Sequence, residues 1–410
     1  MKKSQFESHI LVLVTLGLTA FGLVMVYSAT SASAALGGRD PVFYLKREGI
    51  YALIGVALLM LASRTDYRAL RYFAPVLMLT SLGLCVAVLV IGQEVNGARR
   101  WLGFGSLSFQ PSELAKLSLA IWAAAYLARR PAPRTLKELA KPIGLTSGLF
   151  AGLILLEPDL GTVIAIGAVL GAILVVSGTP LRVLASGGGI AFGLAMAAIW
   201  FEPYRRARFF SFLNPGQDPQ GAGYQTLQGI IGLGSGGPLG VGLGQGPSKV
   251  NYLPEAHTDM IFAVIGEELG LIGTTSVLAA FVVFAYAGLR IALRCRDPFG
   301  KRLAAGMTTL ICGQALINLA AVLGLAPLTG ITLPFVSYGG SSLVVSLAAV
   351  GVLLNIAGHG GRTAAQVPDR SRGNSRPRTA VARGRGGARS ARRQGDLRRV
   401  AGSRRGAARS

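Results

Sequence analysis

Apolar residues run through most of this chain in blocks long enough to cross a lipid bilayer, separated by polar segments. Backbone groups in lipid must pair within their own segment, so each block is predicted to be a helix. The second and seventh blocks are short and are expected to extend into their flanks. We predict ten spans, near residues 10–29, 49–63, 73–92, 113–128, 142–157, 161–178, 187–201, 260–290, 303–325 and 338–357. The pattern predicts an all-α integral membrane protein, and its first span is predicted to be uncleaved.

Basic residues orient these spans, because Lys and Arg concentrate in cytoplasmic segments. The segments around residues 2–3, 64–71, 129–141, 182 and 290–302 are rich in basic residues, and ten spans put them on one side. Both chain termini are therefore predicted to be cytoplasmic. The outer side receives segments 30–48, 93–112, 326–337 and the large loop 202–259. Some arginines fall on this unfavoured side, and anion binding is one explanation: Arg99, Arg100, Arg205, Arg206 and Arg208.

Composition supports a membrane class and removes several others. Hydrophobic residues make up 51% of the chain and charged residues only 14%, which is unusual for a soluble protein of this length. The three cysteines and three histidines are scattered, so neither a disulfide framework nor a histidine-rich metal centre is predicted. The chain has no Walker A loop, no GxGxxG motif after a strand and no HExxH motif, which argues against a nucleotide-driven pump.

The chain divides into a membrane domain, residues 1–359, and an arginine-rich tail, residues 360–410. The tail holds 15 arginines against Asp369 and Asp396, which is more than half of the net charge of +23. Such a segment cannot bury a core and is predicted to be disordered. It could lie on anionic lipid headgroups or dock another protein. Nucleic-acid binding is not predicted, since no aromatic residues alternate with the arginines.

The segment 251–262, Asn-Tyr-Leu-Pro-Glu-Ala-His-Thr-Asp-Met-Ile-Phe, places one carboxylate, Asp259, where a polar loop meets an apolar helix. An aspartate there is often only a helix cap. Here Glu255, His257, Glu267 and Glu268 are close in sequence, and partial burial among carboxylates would raise the pKa of Asp259 and make it a better base. Capping and catalysis both remain open for this residue.

Three further polar elements are predicted on the same side. Glu113 and Lys116 share one face of the fourth span, either as a structural ion pair or with Lys116 and Arg99 or Arg100 holding a phosphate-bearing lipid. Asp159, at a break between spans, caps a helix or contacts substrate. The glycine-rich segment 232–246 could approach phosphates or sugars, or pack in the membrane as a re-entrant segment.

Five motifs in order then resemble one family. They are Asn96–Gly103, Gln110–Lys116, Glu157–Thr162, Leu253–Asp259 and the long signature Asn318–Ser342. This pattern is similar to the SEDS family of membrane glycosyltransferases, which includes FtsW, RodA and SpoVE, over about residues 10–358. The motif forms are more similar to the division branch of that family than to its elongation branch. The arginine-rich tail lies outside the family pattern.

The resemblance implies a fold, an activity and a set of residues. Family members polymerise lipid II, an undecaprenyl-diphosphate-linked disaccharide-pentapeptide, together with a class B penicillin-binding protein and other division proteins. The family's essential aspartate corresponds to Asp259, and its Glu–Lys pair corresponds to Glu113 and Lys116. Arg99, Arg100, Lys249, His257 and Ser337 complete the expected substrate site. The expected location is the bacterial inner membrane at the division septum.

The expected reaction inverts the sugar's anomeric centre, since the donor linkage is α and the glycan linkage is β-1,4. Such a transfer needs a base for the attacking hydroxyl, predicted to be Asp259, and cations facing the diphosphate: Arg99, Arg100, Lys116 or Lys249. A divalent cation, Mg²⁺ or Mn²⁺, is possible, but no motif indicates a site for it. Alternatives are a lipid flippase, a scaffold for division proteins and an elongation-type polymerase.

Overall fold

The computed structural model describes residues 2–38, 40–95, 97–104, 107–216, 221, 223–249 and 253–360. Thirteen α-helices appear in this part of the chain, together with a 3₁₀ turn at Tyr67–Ala69, a π-helical turn at Ala140–Gly144 and three strands. The helices are α1 (Lys2–Leu36), α2 (Phe43–Arg64), α3 (Leu70–Ile91), α4 (Pro111–Ala128), α5 (Leu136–Leu139), α6 (Leu145–Leu156), α7 (Leu160–Ser177), α8 (Leu181–Phe201), α9 (Pro203–Leu213), α10 (Tyr224–Ser235), α11 (Ile261–Arg294), α12 (Pro298–Val322) and α13 (Gly340–Gly360). The strands are β1 (Gln93–Val95), β2 (Ala98–Phe104) and β3 (Leu107–Phe109).

The predicted all-α membrane class is confirmed. Eight helical segments in the described part are long and apolar enough to cross a bilayer. The two remaining predicted spans correspond to α2 and α4, which are helical but carry more polar sequence. The count of ten spans therefore remains a prediction.

The polar character of α2 and α4 is matched by their packing. Helix α2 lies along α13, and α4 packs between α3, α7 and α12. Most of α4 is buried, including Glu113 and Lys116 in its first two turns. A helix surrounded by protein needs less apolar surface than one that faces lipid. Weaker hydropathy in α4 is therefore consistent with its place at the centre of the helical assembly.

Helix α11 is interrupted at Gly270, whose φ of +63° and ψ of −157° are not helical. The glycine-rich segment packs against this interruption and supplies hydrogen bonds for the exposed backbone. Val241 N donates to the carbonyl of Glu267 at 2.9 Å, and Leu271 N donates to the carbonyl of Gly237 at 2.9 Å. A Cβ on Gly240 would lie 2.1 Å from the carbonyl oxygen of Glu268, so this close approach requires glycine.

The segments predicted as outer loops contain regular structure that the apolar pattern did not reveal. Strands β1, β2 and β3 form an antiparallel sheet in that order within segment 93–112. Helices α9 and α10 lie within the predicted loop 202–259. The predicted tail, residues 360–410, lies outside the described residues apart from Gly360, which ends α13.

Several of these segments meet at one end of the helical assembly. The sheet contacts the α6–α7 turn, since Arg100 donates to carbonyls there. The turn 253–260 contacts the loop 323–339, since Tyr338 N donates to the carbonyl of His257 at 2.8 Å. Helix α2 joins them through Tyr51, whose hydroxyl donates to the carbonyl of Ser108 at 2.8 Å. We call this the site end of the molecule.

Candidate functional site

Asp259 lies in the turn immediately before α11, and its side chain is only 7% exposed. Its Oδ1 accepts hydrogen bonds from Thr258 Oγ1 at 3.2 Å and, more weakly, from Gln225 Nε2 at 3.5 Å. Its main-chain carbonyl accepts from Asn318 Nδ2 at 2.7 Å. Helix α11 begins after Met260, with no side-chain cap among the described residues. The carboxyl is therefore not a helix cap, which was one of the two roles open to it.

Burial is the main reason that the pKa of the Asp259 carboxyl is raised to about 6. The negative charge of Glu255 raises this pKa further, and the positive charge of Arg208, on α9, opposes the increase. The residue is thus largely ionised at neutral pH but holds its proton much more tightly than an exposed aspartate. A carboxylate with this property is a better general base.

His257 is held in an aromatic cluster beside Asp259. Its ring centroid lies 4.9 Å from that of Tyr44 and 5.4 Å from that of Tyr338. Burial lowers the pKa of this imidazole, although Glu255 acts in the opposite direction. The cluster joins α2, the turn before α11 and the loop 323–339, and the turn thereby becomes rigid.

Ser337 belongs to the same loop and has an internal role there. Its hydroxyl accepts a hydrogen bond from Leu333 N at 2.8 Å, while Ser337 N donates to the carbonyl of Leu333 at 3.0 Å. The side chain is 5% exposed. These bonds fix the loop that contacts His257.

Glu113 and Lys116 form an ion pair, which is the structural role predicted for them. Lys116 Nζ lies 2.8 Å from Glu113 Oε1 and donates to Gln314 Oε1 at 2.7 Å. The lysine is 1% exposed. A buried charge is stable only when it is paired and hydrogen-bonded, and Glu113 and Gln314 supply both. This cation is therefore fixed in position inside the helical assembly.

Arg100 caps a helix C-terminus. Its Nε donates to the carbonyl of Glu157 at 2.6 Å and its Nη2 to the carbonyl of Pro158 at 2.8 Å. Arg205 acts in the same way, since its Nη2 donates to the carbonyl of Leu155 at 2.6 Å. Cations at a helix C-terminus satisfy its last carbonyls and its dipole. This capping of α6 explains two of the arginines in the segments that are predicted to be on the outer side.

Arg99 points to a different surface from its neighbour. Its side chain is 53% exposed, and its Nε lies 3.6 Å from Glu94 Oε2 across the β1–β2 ladder. An exposed ion pair of this length holds its partners only weakly. Arg99 is therefore accessible to an anion at the surface of the sheet.

Lys249 is buried between a carboxylate, Glu268, and a hydroxyl, Ser28. Its Nζ lies 2.7 Å from Glu268 Oε1 and 3.2 Å from Ser28 Oγ, and the side chain is buried. The neighbouring Ser248 donates to Glu267 through both its backbone N and its hydroxyl. Lys249 thus links the glycine-rich segment to α1 and α11, while Glu267 and Glu268 take part in this cluster and not in the raised pKa of Asp259.

Asp159 is a helix cap. Its Oδ1 accepts from Thr162 N at 2.9 Å, and its Oδ2 accepts from Thr162 Oγ1 at 2.7 Å, both at the start of α7. A weaker bond from Gln110 Nε2 reaches Oδ2 at 3.4 Å. The capping interpretation is confirmed. Substrate contact by Asp159 remains a prediction.

Three residues complete the arrangement, and the sequence did not assign any of them to the neighbourhood of Asp259 or Lys116: Arg208, Gln314 and Asn318. The two amides lie four residues apart on α12, and both are at least 98% buried. Polar side chains inside an apolar helix are costly unless they have a function or a partner, and this spacing could have revealed them. Arg208 could not be linked to Asp259 by any spacing, since 50 residues of irregular sequence intervene.

The described residues contain no group of three or more His, Cys, Asp and Glu side chains that could hold a metal ion. A divalent cation bound mainly through a diphosphate substrate is a separate possibility, and it remains a prediction.

Comparison with known proteins agrees with the predicted resemblance. A family model described as "Cell cycle protein", for FtsW, RodA and SpoVE, matches residues 8–361. The probable peptidoglycan glycosyltransferase FtsW of Geobacter sulfurreducens is 41% identical over 359 residues, covering 87% of this chain and 96% of the relative. Stage V sporulation protein E of Bacillus subtilis is 40% identical over 352 residues, covering 85% and 96%.

Solved structures agree as well. A structure described as "Structural coordination of polymerization and crosslinking by a peptidoglycan synthase complex" has a chain that is 32% identical, with a TM-score of 0.73, covering 86% of this chain and 98% of that one. The rod shape determining protein RodA of Thermus thermophilus is 31% identical with a TM-score of 0.63, covering 85% and 95%. This chain is a membrane protein that belongs to the cell cycle protein family of FtsW, RodA and SpoVE.

Proposed function

We propose that this chain is a peptidoglycan glycosyltransferase that polymerises lipid II into β-1,4 glycan strands. The observation that carries the proposal is the Asp259 carboxyl: buried, uninvolved in capping among the described residues, and with a pKa of about 6. The names of relatives such as the Geobacter protein support the same activity. Division and sporulation relatives favour a septal role over an elongation role.

In the proposed step, Asp259 accepts the proton of the attacking 4-hydroxyl group. The hydroxyl oxygen forms a bond with the anomeric carbon of the donor sugar. The bond between that carbon and the diphosphate oxygen breaks on the opposite face, so the configuration inverts. Undecaprenyl diphosphate leaves with the bonding electrons, and cationic side chains stabilise its additional negative charge.

The cations in this proposal differ in their roles. Lys116 faces the diphosphate from inside the helical assembly, and Glu113 and Gln314 keep it in place. Its electrostatic attraction to the diphosphate is stronger there, because the surroundings have low polarity. Arg99 meets the lipid headgroup at the surface of the sheet. Arg100 acts less directly, because its polar atoms bind the end of α6, and Lys249 acts less directly, because it belongs to the separate cluster of Ser28 and Glu268. His257 and Ser337 shape the wall of the same site.

The setting is part of the proposal. The site end faces the outer side of the bacterial inner membrane, both termini face the cytoplasm, and the protein acts at the septum. Its partner is a class B penicillin-binding protein among other division proteins. Support comes from the basic-residue distribution and from the solved relative, which is described within a complex that couples polymerization and crosslinking.

The test is a gel assay of glycan length with the purified full chain and lipid II, with and without a cognate class B transpeptidase. Wild type is expected to give long glycan strands, and Asp259→Asn to give none. Lys116→Met is expected to lower kcat/KM about 10- to 100-fold, because it removes a cation that faces the diphosphate in the bound substrate and in the leaving group. Polymerisation by Asp259→Asn at the wild-type rate would disprove the assignment of the base.

A lipid flippase is the second candidate, and the buried Glu113–Lys116 pair favours it, since transporters also carry charged side chains inside their membrane helices. A flipping assay in vesicles, run with Asp259→Asn, distinguishes the two. Flipping by both proteins without glycan synthesis by wild type would support the flippase. The elongation-type alternative differs in location, so side-wall placement of the fluorescently tagged chain would support it.

A further inference from the structure

Helix α12 carries two amide side chains, Gln314 and Asn318, whose exposed fractions are 2% and 1%. They lie four residues apart, so they occupy the same face of the helix one turn from each other. Most of their neighbours on α12 are apolar and buried. Two buried amides at this spacing need partners, and each one has partners in a different half of the proposed site.

Asn318 binds the half that contains the proposed base. Its Nδ2 donates to the main-chain carbonyl of Asp259 at 2.7 Å and to the carbonyl of Ile331 at 2.8 Å. Both acceptors are backbone oxygens, so the interaction requires a donor with two hydrogens. An aspartate at this position could not donate to either carbonyl. Asn318 therefore ties the turn before α11 to the loop 323–339.

Gln314 binds the half that contains the buried cation. Its Oε1 accepts from Lys116 Nζ at 2.7 Å. Its Nε2 donates to the carbonyl of Thr332 at 3.2 Å and to Ser342 Oγ at 2.9 Å. Here the amide must accept and donate at once, which neither glutamate nor methionine can do.

The two amides meet at the same piece of backbone. Asn318 binds the carbonyl of Ile331, and Gln314 binds the carbonyl of Thr332, the next residue. One rigid turn of α12 and one pair of loop carbonyls thus connect Lys116 with Asp259. A linkage of this kind sets the separation of Lys116 and Asp259 through α12 and the loop 323–339.

We propose that Gln314 and Asn318 are positioning residues that hold the diphosphate-facing lysine and the base in register for the glycosyl transfer. The inference rests on the proposed function, since it assigns these two residues to the same site. Displacement of a reacting group by about 1 Å can reduce a rate about 100-fold. The loss should fall on the chemical step for Asn318, and on substrate binding for Gln314.

The experiment measures kcat, KM and the pH profile of lipid II polymerisation by the full chain with its transpeptidase. We expect Asn318→Ala to lower kcat about 10- to 100-fold with KM changed less than about threefold. Asn318→Ser, a milder change, should fall between wild type and Asn318→Ala. Asn318→Asp should lower kcat about as much as Asn318→Ala, since a carboxyl has at most one hydrogen and cannot donate to both backbone carbonyls.

The effect on substrate binding is tested with Gln314. We expect Gln314→Met and Gln314→Glu to raise KM about fivefold or more, with a smaller change in kcat. The first leaves Lys116 without its amide acceptor, and the second neutralises its charge with another carboxylate.

Asn355 offers a matched control. It is 1% exposed, accepts from Tyr67 N at 3.0 Å and donates to the carbonyl of Ser63 at 2.8 Å, away from the site end. Asn355→Ala removes a similar pair of backbone bonds and should lower stability without changing kcat or the pH profile. Thermal unfolding in detergent shows whether each variant is folded.

The outcomes separate the two proposals. If Asp259→Asn is inactive while the Asn318 and Gln314 variants keep wild-type kcat, KM and pH profile, this inference fails and the proposed function stands. The inference also fails if Asn355→Ala reproduces the kinetic loss of Asn318→Ala. If wild type does not polymerise lipid II, the proposed function itself fails.

Discussion

Two aspartates in this chain occupy similar places in the apolar and polar pattern and have different roles in the structure. Asp159 and Asp259 each close a polar break and stand just before an apolar helix. Asp159 turns back onto α7 and binds Thr162 through both carboxylate oxygens. Asp259 does not cap α11, and its main chain is held instead by Asn318.

The difference shows that a helix cap and a candidate base are alternatives for the same kind of residue. A capping carboxylate gives its oxygens to backbone donors, and such donors stabilise its charged form. Asp259 is buried with weaker hydrogen bonds, of 3.2 and 3.5 Å, and burial raises its pKa to about 6. The environment of Asp259 thus produces a good proton acceptor at neutral pH.

The largest expected difference between the two aspartates is in activity. Asp259→Asn should reduce lipid II polymerisation by about 10²- to 10⁴-fold, the usual contribution of a positioned base. Asp159→Asn should keep activity within about threefold of wild type, since an asparagine can still cap α7. Initial rates at saturating lipid II measure both. Equal losses in the two variants would remove the distinction drawn here.

The second expected difference is in pH dependence. The base works when deprotonated, so the wild-type rate should fall as the pH decreases through about 6, the pKa of Asp259. Arg208 lowers this pKa, so Arg208→Gln should move the acid limb upward by about 0.5–1 pH unit. The measurement is the polymerisation rate as a function of pH between about 5 and 8. Asp159→Asn should leave the acid limb of this profile unchanged. An unshifted limb in Arg208→Gln would show that its charge does not reach the base.

Substitutions of the two aspartates should change the stability of the protein in opposite directions. A carboxyl whose folded pKa is raised favours the folded state at low pH, and this advantage is lost as the pH rises to about 6. At pH 7.5 Asp259→Asn should therefore stabilise the protein, by on the order of 1–3 kcal/mol. Asp159→Ala should destabilise it by about 0.5–2 kcal/mol through loss of the cap. Melting temperatures in detergent at matched pH test both signs.

The smallest expected difference concerns two threonines that donate to the two aspartates. Thr162→Val removes the 2.7 Å bond to Asp159 and should cost about 1 kcal/mol of stability with little kinetic effect. Thr258→Val removes the 3.2 Å bond to Asp259 and should raise its pKa, so the acid limb moves upward by a few tenths of a pH unit. A limb shift in Thr162→Val of the same size would contradict the assignment.

The apolar pattern was enough to find the long helices, because lipid permits only helices with internally paired backbone over such lengths. It could not find the sheet in segment 93–112, whose strands have only three to seven residues. It also missed α9, whose sequence is on average polar. Short elements of this kind depend on contacts with the helices beneath them, and those contacts are not visible in sequence.

The candidate site likewise has features that the sequence could predict and features that it could not. The Glu113–Lys116 pair follows from helical spacing alone, since residues three apart share a face. The functions of the outer arginines do not follow from spacing: Arg100 and Arg205 bind the carbonyl end of α6. The glycine-rich segment likewise packs on the break at Gly270, which a sequence cannot distinguish from a phosphate-binding loop.

The sequence by itself determined the class of protein, the positions of the long helices and the motifs that carry the family resemblance, because these depend on local composition and on order along the chain. Only the tertiary structure decided which aspartate is a cap, which arginines are helix caps and which amides on α12 connect Lys116 to Asp259. Burial, pKa and hydrogen-bond partners are set by residues that are distant in sequence, and folding is what brings them together.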